Sequence, residues 1–108
     1  RASLVTADEA PLQVGDVVVD LVTRRVTVAG EPVSLTATEF DLLAYLMRHP
    51  GRVYSREQLL SEVWGYAAVV GTRTVDVHVA QVRAKLGDRS PIRTVRGVGY
   101  SAEASAES

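Results

Sequence analysis

The sequence predicts an α+β fold: a four-stranded antiparallel sheet, then three helices, then a C-terminal β-hairpin. Three observations predict it. Residues 12–34 show short period-2 apolar runs, two capping-box sequences each precede an apolar helical stripe, and two β-type runs flank Arg96-Gly97. A sheet with one apolar face must pack against another layer, and the helices supply that layer.

The predicted sheet occupies residues 12–34, which read VVVDLV, RRVTVAG and EPVSL in turn. Val26 and Val28 alternate with Arg25 and Thr27, as expected of a half-exposed strand. Turn-type residues at 14–16, 23–24 and 30–32 divide the segment, which therefore predicts four strands in a meander.

Two helices follow, each marked by a capping box. Thr36 and Glu39 open the first helix, which runs to about Arg48. Ser55 and Gln58 open the second. The expected core-facing residues are apolar and helically spaced: Phe40, Leu42, Leu43, Leu46 and Met47 in the first helix, and Leu59, Leu60, Val63 and Trp64 in the second.

The third helix is predicted over residues 72–86, with Thr72 as its N-cap and Gly87 at its end. At about 100° per residue, the core stripe consists of Val75, Val79, Val82 and Leu86. The opposite face carries small, apolar and polar residues instead of the usual Glu and Lys: Arg73, Val77, Ala80, Gln81 and Ala84. Polar and basic residues flank that face, namely Thr74, His78, Lys85, Asp76 and Arg83.

Charge is concentrated in this part of the chain. Residues 72–100 carry six basic side chains and two acidic ones, a local net charge of +4, although the whole chain has a net charge of −1. Residues 1–71 carry six basic and nine acidic side chains. A small-faced helix followed by a basic hairpin is typical of DNA binding, in which the helix enters one groove and the hairpin reaches the next.

Other chemistries find little support. The chain has no cysteine, and its two histidines, His49 and His78, show no ligand spacing, so we expect no metal and no cofactor. Ser34 and Ser55 are better explained by strand-end and capping roles than by nucleophilic catalysis, so we expect no enzyme activity. No apolar run reaches membrane-spanning length, and a cytoplasmic location is expected.

Three motifs, LTATEFDLLAYLMRHPGRVYSREQLLSEVWG, RTVDVHVAQVRAKLG and IRTVRGVGY, resemble the effector domain of OmpR/PhoB-type response regulators. The resemblance implies a winged helix-turn-helix fold with an N-terminal four-stranded sheet. It covers residues 12–101, so we interpret residues 1–11 as a linker remnant and residues 102–108 as a flexible tail. The segment 72–86 then corresponds to the recognition helix and the segment 92–101 to the wing.

The resemblance also implies site residues. Those matching DNA-backbone contacts are Arg56, Trp64, Arg73, Thr74, His78, Arg83, Thr94 and Tyr100. Those matching base contacts are Asp76, Val77, Gln81 and Arg96, of which Arg96 is the minor-groove candidate. The loop expected to contact RNA polymerase consists of Gly65, Tyr66, Ala67, Ala68, Val69, Val70 and Gly71, and its apolar composition agrees with an interaction patch.

Further implications concern partners. The resemblance implies double-stranded DNA with direct repeats, an N-terminal receiver domain outside this chain that takes part in a phosphorelay, and little or no dimerisation of the isolated domain. Ala80, Gln81 and Ser101 are uncharged where the family often has basic residues, which predicts weak binding in isolation. The alternative is a winged helix used as a protein-interaction module that contacts the transcription machinery.

Overall fold

Four short strands open the fold in the computed structural model, which describes residues 11–65 and 71–103. They are β1 (Leu12–Val14), β2 (Val17–Asp20), β3 (Arg25–Val28) and β4 (Glu31–Val33). They pair antiparallel in the order β1-β2-β3-β4, which confirms the predicted meander. One face of the sheet enters the core through Val17, Val19 and Val26.

The turns of this sheet lie close to the predicted breaks, with one exception. The Asp20 carboxylate accepts hydrogen bonds from the backbone N–H groups of Val22 (2.9 Å) and Thr23 (3.1 Å), which closes the β2–β3 turn. The last turn, however, is at Ala29 and Gly30, both of which have positive φ. The break predicted at 30–32 therefore lies too far along the chain. Proline at position 32 does not interrupt the strand, because β4 is an edge strand and tolerates it.

Helix α1 (Ala37–Met47) begins at the predicted capping box. The Glu39 N–H donates to Thr36 Oγ1 (3.2 Å), and the Thr36 N–H donates to Glu39 Oε1 (2.9 Å). Two of the otherwise unpaired donors at the helix start are thereby satisfied. All five residues predicted for its apolar side are buried, and they form the centre of the core: Phe40, Leu42, Leu43, Leu46 and Met47.

The second helix begins as predicted but does not stay α-helical. Ser55 and Gln58 form the second capping box, and α2 proper covers Arg56–Leu59. The following turn, Leu60–Trp64, has π-helical hydrogen bonding and ends at Gly65, whose φ is 96°. The apolar spacing alone did not distinguish this wider turn from a regular helix.

A strand missed in the sequence precedes α2. β5 (Tyr54–Ser55) pairs with β7 (Gly99–Ala102), which also pairs with β6 (Ile92–Val95), so the hairpin becomes a three-stranded sheet in the order β5-β7-β6. Strands β5 and β7 approach each other so closely here that a Cβ atom added at Gly99 would lie 1.9 Å from the Tyr54 carbonyl oxygen. Gly99 is thus required for the pairing.

Helix α3 (Arg73–Leu86) crosses the core and is followed by a 3₁₀ turn at Gly87–Arg89. The buried residues of the helix are the four predicted: Val75, Val79, Val82 and Leu86. Thr72 occupies the N-cap position, but its side chain makes no capping hydrogen bond, so the predicted capping role was wrong. Within residues 11–65 and 71–103, no helix has the length and apolar character needed to cross a bilayer.

Candidate nucleic-acid interface

The outward face of α3 is open to solvent along its length. The five residues predicted to lie there are all exposed: Arg73, Val77, Ala80, Gln81 and Ala84. Val77 is a large apolar residue and yet is 47% exposed. Two alanines lie beside it. Because these side chains are short, another molecule can approach the helix backbone closely on this side of α3.

The start of α3 is joined to α2 and to β7 through Asp76. Its Oδ1 atom accepts a hydrogen bond from the Tyr100 hydroxyl (2.5 Å) and another from Arg56 Nε (2.6 Å). The Tyr100 hydroxyl, and then Arg56, keep the pKa of the Asp76 carboxyl below its ordinary value against the opposing effect of burial. Burial, followed by the hydrogen bond to Asp76 and then by the Asp76 charge, raises the pKa of Tyr100. Asp76 is therefore an ionised acceptor for two donors from other elements.

Arg83 joins α3 to the other strand of the hairpin. Its guanidinium donates to the Ile92 carbonyl (Nη2 at 3.1 Å) and to Thr94 Oγ1 (2.7 Å). The Arg83 guanidinium also lies 5.7 Å from the centre of the Tyr100 ring, and that of Arg56 lies 5.6 Å from it. Both distances are within the range of cation–π attraction.

These contacts define one group, which we call the Tyr100 cluster: Arg56, Asp76, Arg83, Thr94 and Tyr100. All five residues were predicted DNA contacts, and the structure brings them together at the junction of α2, α3 and the wing. Each of the five already has a hydrogen-bonding partner within the protein, which the sequence did not reveal. These partners are 9 to 24 positions away along the chain, beyond the reach of helical or strand periodicity.

A second pair of predicted contacts, Trp64 and His78, meets at the neighbouring edge of α3. Their ring centres are 5.1 Å apart in an edge-to-face arrangement. His78 Nδ1 lies 2.9 Å from the Thr74 carbonyl oxygen. Because a carbonyl only accepts, Nδ1 carries a proton in this contact, and Nε2 remains for an outside partner.

Lys85 was predicted among the polar and basic residues that flank the outward face of α3, and the structure gives it an internal partner. Its ammonium is 2.6 Å from Glu39 Oε1, and the Glu39 side chain is only 2% exposed. Burial raises the pKa of the Glu39 carboxyl, but the hydrogen bonds from Lys85 and the Thr36 N–H outweigh this effect. The pKa therefore lies below its ordinary value. Lys85 thus neutralises a buried charge at the start of α1 and joins α1 to α3.

The wing tip carries Arg96 next to Gly97, whose φ is 77°. Arg96 is exposed, and so is Val98. The turn is closed by a hydrogen bond from the Val98 N–H to the Val95 carbonyl (2.9 Å). Ser101, counted above among missing basic residues, is completely buried and cannot contribute to surface charge. Of the predicted polymerase loop, Gly65 and Gly71 are described, whereas Tyr66, Ala67, Ala68, Val69 and Val70 lie outside the described residues.

Residues 30–102 match the protein family described as "Transcriptional regulatory protein, C terminal". The chain belongs to this family. The finding confirms the resemblance to OmpR/PhoB-type response regulators, and this family is a DNA-binding regulator domain, which is not an enzyme class.

Individual proteins with similar sequences support the same family membership. The chain is 45% identical over 94 residues to the phosphate regulon transcriptional regulatory protein PhoB of Pseudomonas aeruginosa, covering 85% of this chain and 41% of that protein. It is 46% identical over 110 residues to the DNA-binding response regulator MtrA of Mycolicibacterium smegmatis, covering 94% and 48%. The chain therefore spans less than half the length of these curated relatives.

Solved structures confirm the winged-helix fold. The DNA-binding domain of Klebsiella pneumoniae RstA, crystallised in complex with the RstA box, superposes with a TM-score of 0.77 at 34% identity, covering 86% of this chain and 96% of that one. The DNA-binding domain of Escherichia coli CpxR gives 0.77 at 35% identity, covering 90% and 99%.

Proposed function

We propose that the domain binds double-stranded DNA sequence-specifically, with α3 in the major groove and the wing at the minor groove. The observation that supports this most is the exposed face of α3, where Val77 and Gln81 stand among alanines with Arg73 at one end. The major groove admits an α-helix, and small outer residues let the helix approach the base edges closely.

Each base contact follows from side-chain chemistry. Gln81 can donate to and accept from the edge of adenine, and the exposed methyl groups of Val77 can meet a thymine methyl. Arg96 at the wing tip can enter a minor groove, where the negative potential attracts guanidinium groups. The resemblance also predicts a base contact for Asp76, but its Oδ1 atom already accepts from Arg56 and Tyr100.

Backbone contacts form the second part of the proposal. Arg73 at the exposed start of α3 is the clearest phosphate contact, supported by His78 Nε2 and the Trp64 indole N–H beside it. The remaining proposed contacts come from both edges of α3 and from the wing: Arg56, Thr74, Arg83, Thr94 and Tyr100. Since Arg56 and Arg83 each have an acceptor within the protein, they supply less net attraction to phosphate than free arginines would.

Modest affinity follows from these charges. Two exposed arginines, Arg73 and Arg96, together with the partly engaged Arg56 and Arg83, give about four phosphate contacts. Each contact contributes about −0.9 to the slope of log K against log salt, so we expect a slope of about −2 to −4. A slope near −8 would contradict this set of contacts.

In the wider protein, we propose that the domain is the effector of a cytoplasmic two-component response regulator. The folded domain would cover residues 12–101, between a linker and a tail, with strand β7 continuing one residue further to the buried Ala102. A phosphorylated receiver domain would bring two copies together on direct repeats, which raises their effective concentration. The loop from Gly65 to Gly71 would contact RNA polymerase.

The alternative is a winged helix that binds protein within the transcription machinery, which the acidic balance of residues 1–71 favours. Two α3 variants separate the alternatives. Gln81→Ala should cost about 1–3 kcal/mol on a selected duplex and relax preference at one base pair, because a bidentate contact is lost. Arg73→Ala should weaken binding to all duplexes alike.

Matched controls are available on the N-terminal sheet. Gln13→Ala and Arg25→Ala remove the same side chains from exposed positions on β1 and β3, and both should leave DNA affinity unchanged. Equal affinities for wild type, Gln81→Ala and Arg73→Ala would favour the protein-interaction alternative. A change of base preference in Arg73→Ala but not in Gln81→Ala would show that the wrong face of α3 was assigned.

A further inference from the structure

We propose that Asp76 is a positioning residue that fixes the wing and α2 against the recognition helix and that it does not read a base. The proposal rests on the proposed DNA-binding function. It assigns the sequence specificity of DNA binding to the other exposed residues of α3. Its basis is the Tyr100 cluster, in which one carboxylate oxygen holds donors from two separate elements.

The geometry of Asp76 favours an internal role. Its Oδ1 atom is 2.5 Å from the Tyr100 hydroxyl and 2.6 Å from Arg56 Nε, both short, charge-assisted hydrogen bonds. A cytosine amino group could donate only to Oδ2, whose direction these two hydrogen bonds fix, or to Oδ1 at the expense of one of its present donors. Releasing Tyr100 would leave the hydroxyl of a buried tyrosine without its acceptor, and that loss is unfavourable.

The position of Tyr100 explains why one carboxylate can orient the wing. Tyr100 pairs with Tyr54 on one side and with Thr94 on the other, so it is on the central strand of the three-stranded sheet. Thr94 in turn accepts from Arg83 of α3. The wing is therefore attached to α3 at two points, Asp76 near the first turn and Arg83 near the last, and two attachments fix an orientation that one cannot.

The charge of Asp76 has a second consequence. A carboxylate at the DNA-facing start of α3 repels phosphate, and it also pairs with Arg56, whose charge would otherwise attract any duplex. Both effects act on all sequences alike. Asp76 thus lowers the electrostatic attraction to every duplex, while it holds the wing in the orientation that specific binding needs.

The test compares Asp76→Asn, Tyr100→Phe and the double variant with the wild-type domain. Tyr100→Phe keeps the ring and its burial and removes only the hydroxyl, so it remains informative if Asp76→Asn folds poorly. Affinities are measured for a selected duplex and for a panel of duplexes that differ from it at one base pair. Gln81→Ala serves as the positive control for a lost base contact.

We expect Tyr100→Phe to weaken binding to every duplex by about 10- to 150-fold, as the loss of one hydrogen bond to a charged group would. Neither Asp76→Asn nor Tyr100→Phe should change the ratio of the affinity for the selected duplex to the affinity for each other duplex in the panel. Gln81→Ala, in contrast, should reduce that ratio at one base-pair position. The double variant should show less than the summed effects of the single variants, since Asp76→Asn weakens and Tyr100→Phe removes the same contact. Two results would overturn the proposal: a reduced affinity ratio at one base pair in Asp76→Asn, or a loss of affinity in the double variant equal to the sum of the losses in the single variants.

Two measurements on the free protein separate this proposal from the proposed function. Ultraviolet titration of tyrosine should show a lower Tyr100 pKa in Asp76→Asn than in the wild type, because the adjacent negative charge is removed. Residual dipolar couplings should show a changed orientation of the wing relative to α3 in both single variants. Unchanged couplings would contradict the positioning role, whereas absent DNA binding by the wild type would contradict the proposed function alone.

Discussion

The pair formed by Lys85 and Glu39 allows a quantitative test of how α3 is held against α1. Substitution Lys85→Met keeps an unbranched side chain, one atom shorter than lysine, and removes the charge, which leaves Glu39 ionised at 2% exposure without its cation. Breaking a fully buried pair in this way costs about 3–5 kcal/mol. Lys85 itself is 39% exposed, so water screens the pair, and we expect a loss of about 2 kcal/mol in the free energy of unfolding at pH 7.

The pH dependence of that loss follows from the pKa of Glu39. In the wild type the folded-state pKa is lowered, so the stabilisation is present above the unfolded-state value and disappears as the pH falls through the folded-state value. In Lys85→Met, burial without the cation should raise the folded-state pKa, so the carboxyl destabilises the protein only where it is ionised. The difference between the two proteins should therefore shrink from pH 8 towards pH 4.

Urea denaturation of both proteins over this pH range measures the effect directly. Glu39→Gln is the matched control, because glutamine keeps the capping box and leaves the unpaired Lys85 free to reach water. It should cost less than Lys85→Met at pH 7. A loss below about 0.5 kcal/mol for Lys85→Met, the size typical of a surface change, or a loss independent of pH, would refute the reasoning.

Two further predictions concern helix starts and the wing. Thr36→Ala should lower the free energy of unfolding by about 1 kcal/mol, whereas Thr72→Ala should change it by less than about 0.5 kcal/mol, since only the Thr36 side chain makes a capping hydrogen bond; equal losses in urea denaturation would contradict this. Gly99→Ala should destabilise the fold by about 1–3 kcal/mol and disrupt the β5–β7 pairing, because its Cβ would meet the Tyr54 carbonyl. Unchanged amide exchange in these strands would show that the pairing accommodates the methyl group.

Local sequence signals predicted the elements whose stabilising contacts are local. The capping boxes at Thr36 and Ser55 join residues three positions apart, and the core stripe of α3 follows from helical spacing alone. The outward face of α3 was predicted for the same reason.

The remaining features depend on contacts between residues far apart in the sequence. Lys85 meets Glu39 across 46 positions, and Tyr100 meets Asp76 across 24. In each case the sequence shows a charged residue on a helix edge without indicating whether its partner is solvent, nucleic acid or another part of the chain. β5 was missed because two residues are too few to show a strand period.

The most direct measurement is selection of bound duplexes from a random DNA pool by the wild-type domain, with Gln81→Ala selected in parallel. We expect the wild type to enrich one short motif, with copies arranged head to tail, and Gln81→Ala to enrich the same motif with one base pair relaxed. Enrichment of no motif by the folded wild-type domain, or an identical motif from both proteins, would contradict the assignment of the exposed α3 face as the sequence-reading surface.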